Sequence, residues 1–400
     1  MIRKLFKNFF LLTALLSAGT SFSQEKEKPE YSAEIEVDNL YFFEEGLYGG
    51  QHRNYLSFSI TPDVFIEWKD GKQSLKVTGF LRVDQFDKNR THTDIRELYW
   101  QTVSDNWELS IGVKKIFWGV TESVHLVDII NQIDYVESFD GEQKLGQTMV
   151  HWSYLANFGT FDVFYLPYFR KAQFPGEQGR LRTPFLLKRD EIDIDPKSKE
   201  FYPSYAGRWS HYAGVFDFGV SYFHGIGREP IFQNLDDLTN FSISYPIIDQ
   251  TGLDIQATTG PILWKFETVI RKSAVQDLTA FAGGIEYTFG NIKNSGLDIG
   301  IVAEYLYDDR GKYAWSGFNN DLFSGVRFAF NDISDTQFLI GGIVDLSRST
   351  KLFSVEGSRR LGESWKGTIE SRLLKTVSDE EFTYFLRGDS FLKFSLSKFL

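Results

Sequence analysis

The segment Phe117-Trp-Gly-Val-Thr-Glu-Ser-Val-His-Leu-Val-Asp-Ile-Ile-Asn-Gln-Ile-Asp134 concentrates the side chains best suited to chemistry. Hard oxygen ligands at short spacing suit Ca²⁺, so Asp128, Asn131 and Asp134 could together hold a divalent cation. The competing reading is that these Asx residues bond their own backbone in turns. With no Asp-x-Asp-x-Asp-Gly loop present, turns are expected here, with no metal and no other cofactor. Catalytic constellations are weak. The histidines (52, 92, 125, 151, 211 and 224) form no HExxH pair. Ser153 shares a strand face with His151, but a lipid hydrolase would need its serine and histidine facing outward with a third group behind the histidine. The absence of cysteine removes disulfides, thiolate metal sites and cysteine nucleophiles. No enzymatic activity is expected.

The elements that must position this segment read as strands. Residues 120–146 mix Val124, Leu126, Val127, Ile129, Ile130 and Ile133 with Glu122, Asp128, Asp134, Glu137, Asp140 and Glu142. So apolar a loop is expected to fold inward as a constriction. Around it the chain alternates with period two. In Trp107–Lys114 one face carries Trp107, Leu109, Ile111 and Val113, the other Glu108, Ser110, Gly112 and Lys114. Comparable segments lie near 31–43, 54–68, 73–86, 94–104, 107–117, 147–156, 159–168, 205–214, 217–226, 250–258, 262–271, 279–289, 296–307, 321–331, 335–346, 351–361, 365–374 and 390–400. Short connections such as 70–71, 104–106 and 259–261 alternate with long ones at 118–146, 169–204, 227–249, 308–320 and 375–389. Short turns on one side and long loops on the other imply an all-β fold: a transmembrane antiparallel β-barrel of about 16–18 strands with an inward-folded loop. No repeat of propeller length is present. The apolar face persists through every segment, which disfavours a sandwich.

Arg3, Lys4 and Lys7, the apolar run Phe9–Ala18 and Ser21-Phe-Ser23 read as a secretory signal peptide over 1–23, followed by a charged lead-in over 24–30 and the barrel over 31–400. Removing 1–23 takes away three basic and no acidic residues. The net charge then moves from −11 to −14, which argues against nucleic acid as a partner. The C-terminal strand, Phe391 to Phe399-Leu400, is expected to be read by the outer-membrane assembly machinery.

By parity the lumen is charged with both signs. Arg82, Glu97, Lys114, Arg271, Arg327, Arg360 and Arg372 are candidate lumen residues, and Glu122, Asp128, Asn131 and Asp134 candidates for the constriction. Arg82, Arg271, Arg327, Arg360 and Arg372 are expected to form a basic ladder opposite Glu34, Glu36 and Asp38, because arginine stays charged whatever its neighbours. Loop 169–204 reads as a solvated surface loop whose basic half could meet lipopolysaccharide phosphates. Tyr41, Phe42, Trp68, Trp100, Trp107, Trp152, Trp209 and Trp365 are expected to form interfacial girdles.

Glu97 and Tyr99, Trp118-Gly119 with Glu122, and Asp128-Ile-Ile-Asn131 with Asp134 follow a pattern E-x-Y … W-G-x-x-[DE] … D-[IV]-[IV]-N-P-x-D. Phe164-Tyr-Leu-Pro-Tyr-Phe169 adds an aromatic-proline strand end. In these residues, over about 94–185, the chain resembles a porin-like, alginate-export-type family of Gram-negative outer-membrane barrels. Gln132 stands where the pattern has proline. The resemblance implies a channel-like or export-like barrel. We therefore expect passive passage of small polar or ionic solutes across the cell outer membrane, among lipid and lipopolysaccharide. The alternative is a plugged barrel acting as an export component, surface receptor or adhesion element. The oligomeric state is left open.

Overall fold

A computed structural model describes residues 28–138, 140–195, 199–233, 242–314, 318–375, 379 and 381–400. The signal segment and residues 24–27 of the lead-in lie outside the described residues, and Glu30 already opens the first strand. In chain order the strands are β1 Glu30–Phe42, β2 Asn54–Trp68, β3 Gln73–Asp84, β4 His92–Val103, β5 Trp107–Lys114, β6 Gln147–Ala156, β7 Gly159–Leu166 and β8 Asp193–Ile194. They continue with β9 Ser204–Ala213, β10 Phe216–Ile226, β11 Ile231–Gln233, β12 Ser242–Tyr245, β13 Ile247–Thr259, β14 Ile262–Ser273 and β15 Leu278–Phe289. The last are β16 Asp298–Asp308, β17 Asn320–Ala329, β18 Gln337–Asp345, β19 Lys351–Arg360, β20 Trp365–Lys375 and β21 Phe391–Phe399.

Eighteen of these strands form one antiparallel sheet in which each pairs with its sequence neighbour. The sheet closes where β1 pairs with β21, Val37 opposite Leu396. Closure leaves no edge strand to template aggregation. The strand number and the alternation of short turns with long loops are as the sequence reading had them. The remaining three strands, β8, β11 and β12, form a small sheet inside the long loops, which period-two reading missed because each is too short to show a period.

The outer face is apolar. Val163, Ile270, Ile301, Ile340, Phe394 and Leu396 are exposed on it, and Trp107, Trp152 and Trp365 lie exposed toward the short-turn end, where a girdle belongs. Phe42 departs from the girdle expectation. It is fully buried inside, packed on Tyr55 and Phe391. The turn between β2 and β3 shows the local cost of tight closure: Lys69, Asp70 and Gly71 all adopt positive φ, which glycine bears without a steric penalty.

One irregularity matters for the interior. Pro62 in β2 interrupts pairing with β3 without shifting register. The shift comes one strand over, between β3 and β4, where Thr78 pairs with Glu97 but Gly79 with Ile95. Arg96 is the extra residue of this β-bulge. It is buried while Ile95 and Leu98 remain exposed on the outside, so the bulge turns Arg96 into the lumen beside Glu97.

Ile340 lies near mid-height on the outer face of β18. Replacing it with Lys is expected to cost about 2–4 kcal/mol if that face meets hydrocarbon. The measurement is equilibrium unfolding from lipid vesicles; a change within about 0.5 kcal/mol, the range typical of surface positions in soluble proteins, would mean the face is wet.

Candidate functional site

The loop between β5 and β6 folds into the barrel, as its apolar content requires. Trp118, Val127, Ile129 and Ile130 are buried against the wall residues Met149, Phe164, Phe223 and Val269. The segment is irregular, so its backbone N–H groups need acceptors that a helix would have supplied. Two lumen-facing carboxylates supply them. Glu267 accepts from the N–H of Val120 (2.6 Å), Thr121 (2.9 Å) and Val127 (3.3 Å) and from the Thr121 hydroxyl (2.8 Å). Glu304 accepts from the N–H of Glu122 (2.8 Å) and Ser123 (2.9 Å) and from the Ser123 hydroxyl (2.6 Å).

The three Asx candidates go separate ways. Asn131 is a buried clip: its amide donates to the Lys114 and Leu145 carbonyls, and its Oδ1 accepts from Ile116 N–H. Asp134 pairs with Arg96 at 2.7 Å. Burial alone would raise its pKa, but His92 and Arg96 hold it below the usual carboxylate range. Asp128 is raised by burial, with Lys144 at 3.4 Å only partly offsetting that cost. Among the described residues no three acidic or histidine side chains are grouped to hold a metal ion.

The loop between β7 and β9 corrects the expectation of a solvated surface loop. Phe169, Ala172, Phe174, Leu187, Ile192 and Ile194 form a buried cluster with Ile226 and Tyr245, and β8 of this loop pairs with β12. Arg180 reaches Asp389 (2.6 Å) in the β20–β21 loop and also donates to the carbonyls of Glu44, His52 and Gly388, so one guanidinium ties three loops together. Arg228 is buried between the Phe169 and Phe223 rings and donates to the Ile130 and Ile226 carbonyls. Arg310 pairs with Glu229 and Asp308.

Among the described residues, two cavities lie between these loops and the wall. One, of about 740 Å³, runs from Gln337 and Ser358 at the short-turn end up to Asp87 and Arg180. The other, of about 530 Å³, runs from Val124 and Arg228 to Phe318 and Leu386 at the long-loop end. They meet at a belt that includes Glu122, Tyr135, Asp140, Glu142, Glu356 and Arg372.

Arg82, Glu122, Asp128, Arg271, Arg327 and Arg372 line these cavities; Glu97, Lys114, Asn131, Asp134 and Arg360 do not. Lys114 donates to Ser110 and lies over the Tyr99 ring, and Glu97 accepts from Lys115 N–H at 3.5 Å. Arg360 sits at the short-turn end of β19, and among the described residues it forms no ion pair.

The five arginines do not make a common ladder: among the described residues only Arg82 of the five meets acids of β1. Arg82 bonds Asp38 directly and lies 3.1 Å from Glu36 and 2.9 Å from Glu137 of the inward loop. Arg271 meets Glu229 (3.1 Å), Arg327 meets Glu122 (2.6 Å) and Glu286 (3.3 Å), and Arg372 meets Asp140 (2.8 Å) and Glu356 (2.6 Å). The reason is distance: carboxylates of inward loops (Glu122, Glu137, Asp140 and Glu229) and of nearby wall strands (Asp38, Glu286 and Glu356) reach these arginines before a far wall does. Parity on strands also could not find Arg90, Arg180, Arg228 or Arg310, which lie on loops, nor Arg96, which strict alternation would have sent outward.

No protein-family model matches the chain, and no curated protein sequence matches it. Solved structures share its fold. OccK2 (OpdF) of Pseudomonas aeruginosa, crystallised with glucuronate, is 11% identical with a TM-score of 0.58, over 96% of this chain and 99% of that one. OccK5 (OpdH) of the same organism is 10% identical, with a TM-score of 0.56 over 94% and 98%. Wzi of Escherichia coli, described as a carbohydrate-binding barrel involved in group 1 capsule assembly, is 11% identical, with a TM-score of 0.53 over 98% and 91%. At these identities the likeness defines the fold, that of outer-membrane β-barrels over nearly the whole chain.

Hydrogen bonds to a charged acceptor contribute about 1.5–3 kcal/mol each. Glu267→Ala is therefore expected to expose the β5–β6 loop to limited proteolysis; full resistance would show that Glu304 and apolar packing hold it without Glu267. The loop is also tied by His125, near Glu142 (3.4 Å) and Glu267 (4.0 Å). Burial opposes its charge, yet the two carboxylates raise its pKa to about 10. The stability it adds is complete below its unfolded value near 6.5 and is lost as pH rises through about 10. Proteolysis of the loop in wild type should increase over that window, and a flat response up to pH 11 would contradict the assignment.

Proposed function

We propose that the protein is an outer-membrane porin-like channel for passive diffusion of small polar or ionic solutes. The observation that carries this reading is the pair of cavities that meet inside the lumen and together reach from the short turns to the long loops. Their walls carry charged side chains at every level, which suits hydrated solutes and disfavours apolar cargo. The apolar outer face, the N-terminal signal and the amphipathic last strand support a location in the outer membrane, with lipid and lipopolysaccharide outside and the assembly machinery as a transient partner. The inward loops play the part of a constriction.

A second reading has its own observation. Through buried bonds Arg180 fastens the β7–β9 loop to the β20–β21 loop, and Arg228 fastens the connection after β10 to the β5–β6 loop. A lumen fastened in this way also suits a plugged barrel serving as a receptor or export component, and the likeness to a carbohydrate-binding barrel is compatible with that role.

Single-channel recording of the refolded mature chain in planar bilayers separates the two. A channel is expected to give steady steps proportional to salt concentration, with larger steps from a variant lacking 120–144. Silence from wild type with steps from the deletion would favour the plug, and silence from both folded proteins would overturn the channel reading.

A further inference from the structure

Permeating ions respond to the charges they meet in water, not to those sealed behind loops. At the belt where the two cavities meet, the charged side chains common to both are Glu122, Asp140, Glu142, Glu356 and Arg372. Four are carboxylates and one is a guanidinium. Their exposures differ in the same sense. The side chains of Glu142, Glu356 and Asp140 are 56%, 49% and 32% exposed, whereas Arg372 is 8% exposed.

Arg372 is also shared. It bonds Asp140 and Glu356 and lies 3.6 Å from Glu370, so one buried cation serves three carboxylates, with Lys393 reaching only Glu370 at 3.9 Å. Across the belt His125 lies between Glu142 and Glu267. Each of these groups carries fewer cations than carboxylates. Glu122 is the balanced member, held with Glu286 by Lys265 and Arg327. Arg327, 32% exposed, and the exposed Lys115, which lines the short-turn cavity outside the belt, are cations that compete at the surface. Arg182 and Arg228, which form no ion pair among the described residues, line the long-loop cavity, but both are buried; Arg182 Nη1 and Arg228 Nε and Nη1 donate to backbone carbonyls, while Arg182 Nε and Arg228 Nη2 have no hydrogen-bond partner among the described residues.

We infer that the junction of the two cavities is a cation-preferring filter, with Glu142 on the inward loop and Glu356 on β19 setting the preference. The inference rests on the open-passage reading above and names the class of solute that passage favours: small cations, inorganic or ammonium-bearing.

The test is the reversal potential of single channels in a tenfold KCl gradient at neutral pH. Wild type is expected to pass K⁺ over Cl⁻ by about threefold or more, with the preference shrinking as salt rises. The double variant Glu142→Gln with Glu356→Gln is expected to move the ratio toward about 1, and Glu356→Lys to push it toward anions. Heat-modifiable migration on gels confirms that each variant is folded. Channels that favour Cl⁻ in wild type, or a ratio unmoved by the double variant, overturn the filter while leaving the channel reading intact. Absence of steps from wild type and from the loop deletion alike overturns both.

Discussion

A carboxylate turned into the lumen of a barrel has to find donors, and the interior of this protein is arranged around two that find them in backbone. Glu267 and Glu304 sit on neighbouring parts of the wall and take up the N–H groups of Val120, Thr121, Glu122, Ser123 and Val127. An irregular segment cannot satisfy its own backbone, and bare carboxylates in a narrow lumen are costly, so each cancels the other's penalty. With that segment fixed, Trp118, Val127 and Ile130 gain an apolar wall to pack on, and the cavities on either side acquire their shape.

Arginine does the complementary work. Long enough to reach from wall to loop or from loop to loop and always charged, it acts as a crossbar: Arg96 to Asp134 and Arg372 to Asp140 from the wall, Arg180 to Asp389 and Arg228 to the Ile130 carbonyl between loops. Breaking a buried pair from one side strands a charge, so such crossbars hold position more than they add net stability.

The barrel was legible in the sequence because a strand alternating between lipid and lumen prints its geometry on the chain, and length differences among connections print its orientation. The inward fold of 118–146 was legible for the same reason: Val124, Ile129 and Ile130 had to be buried somewhere. Loop 169–204 misled because its charges look solvated in sequence, whereas Arg180 is buried through Asp389, far along the chain, and Lys171 through the Ile192 carbonyl of the loop's own folded interior. Arg96 was hidden by a β-bulge, because one extra residue reverses the inward and outward alternation on which parity relies. The supposed ladder failed because parity gives the face of a residue and not its neighbour.

An eighteen-stranded ring is too wide for wall side chains to fill, so loops must enter it, and loops must be tied. Tying consumes cations faster than anions, because guanidinium forks reach into the interior while carboxylates can accept from backbone as well. The chain carries 54 acidic against 43 basic residues. With so many of its arginines sealed as crossbars, part of the acidic excess is left where water is. At the belt that excess is visible as Glu142 and Glu356, the exposed ends of groups whose cations are buried. On the channel reading proposed above, the sign of the field along the passage is a by-product of how the loops are held, which couples the architecture of the constriction to the charge of what could cross it.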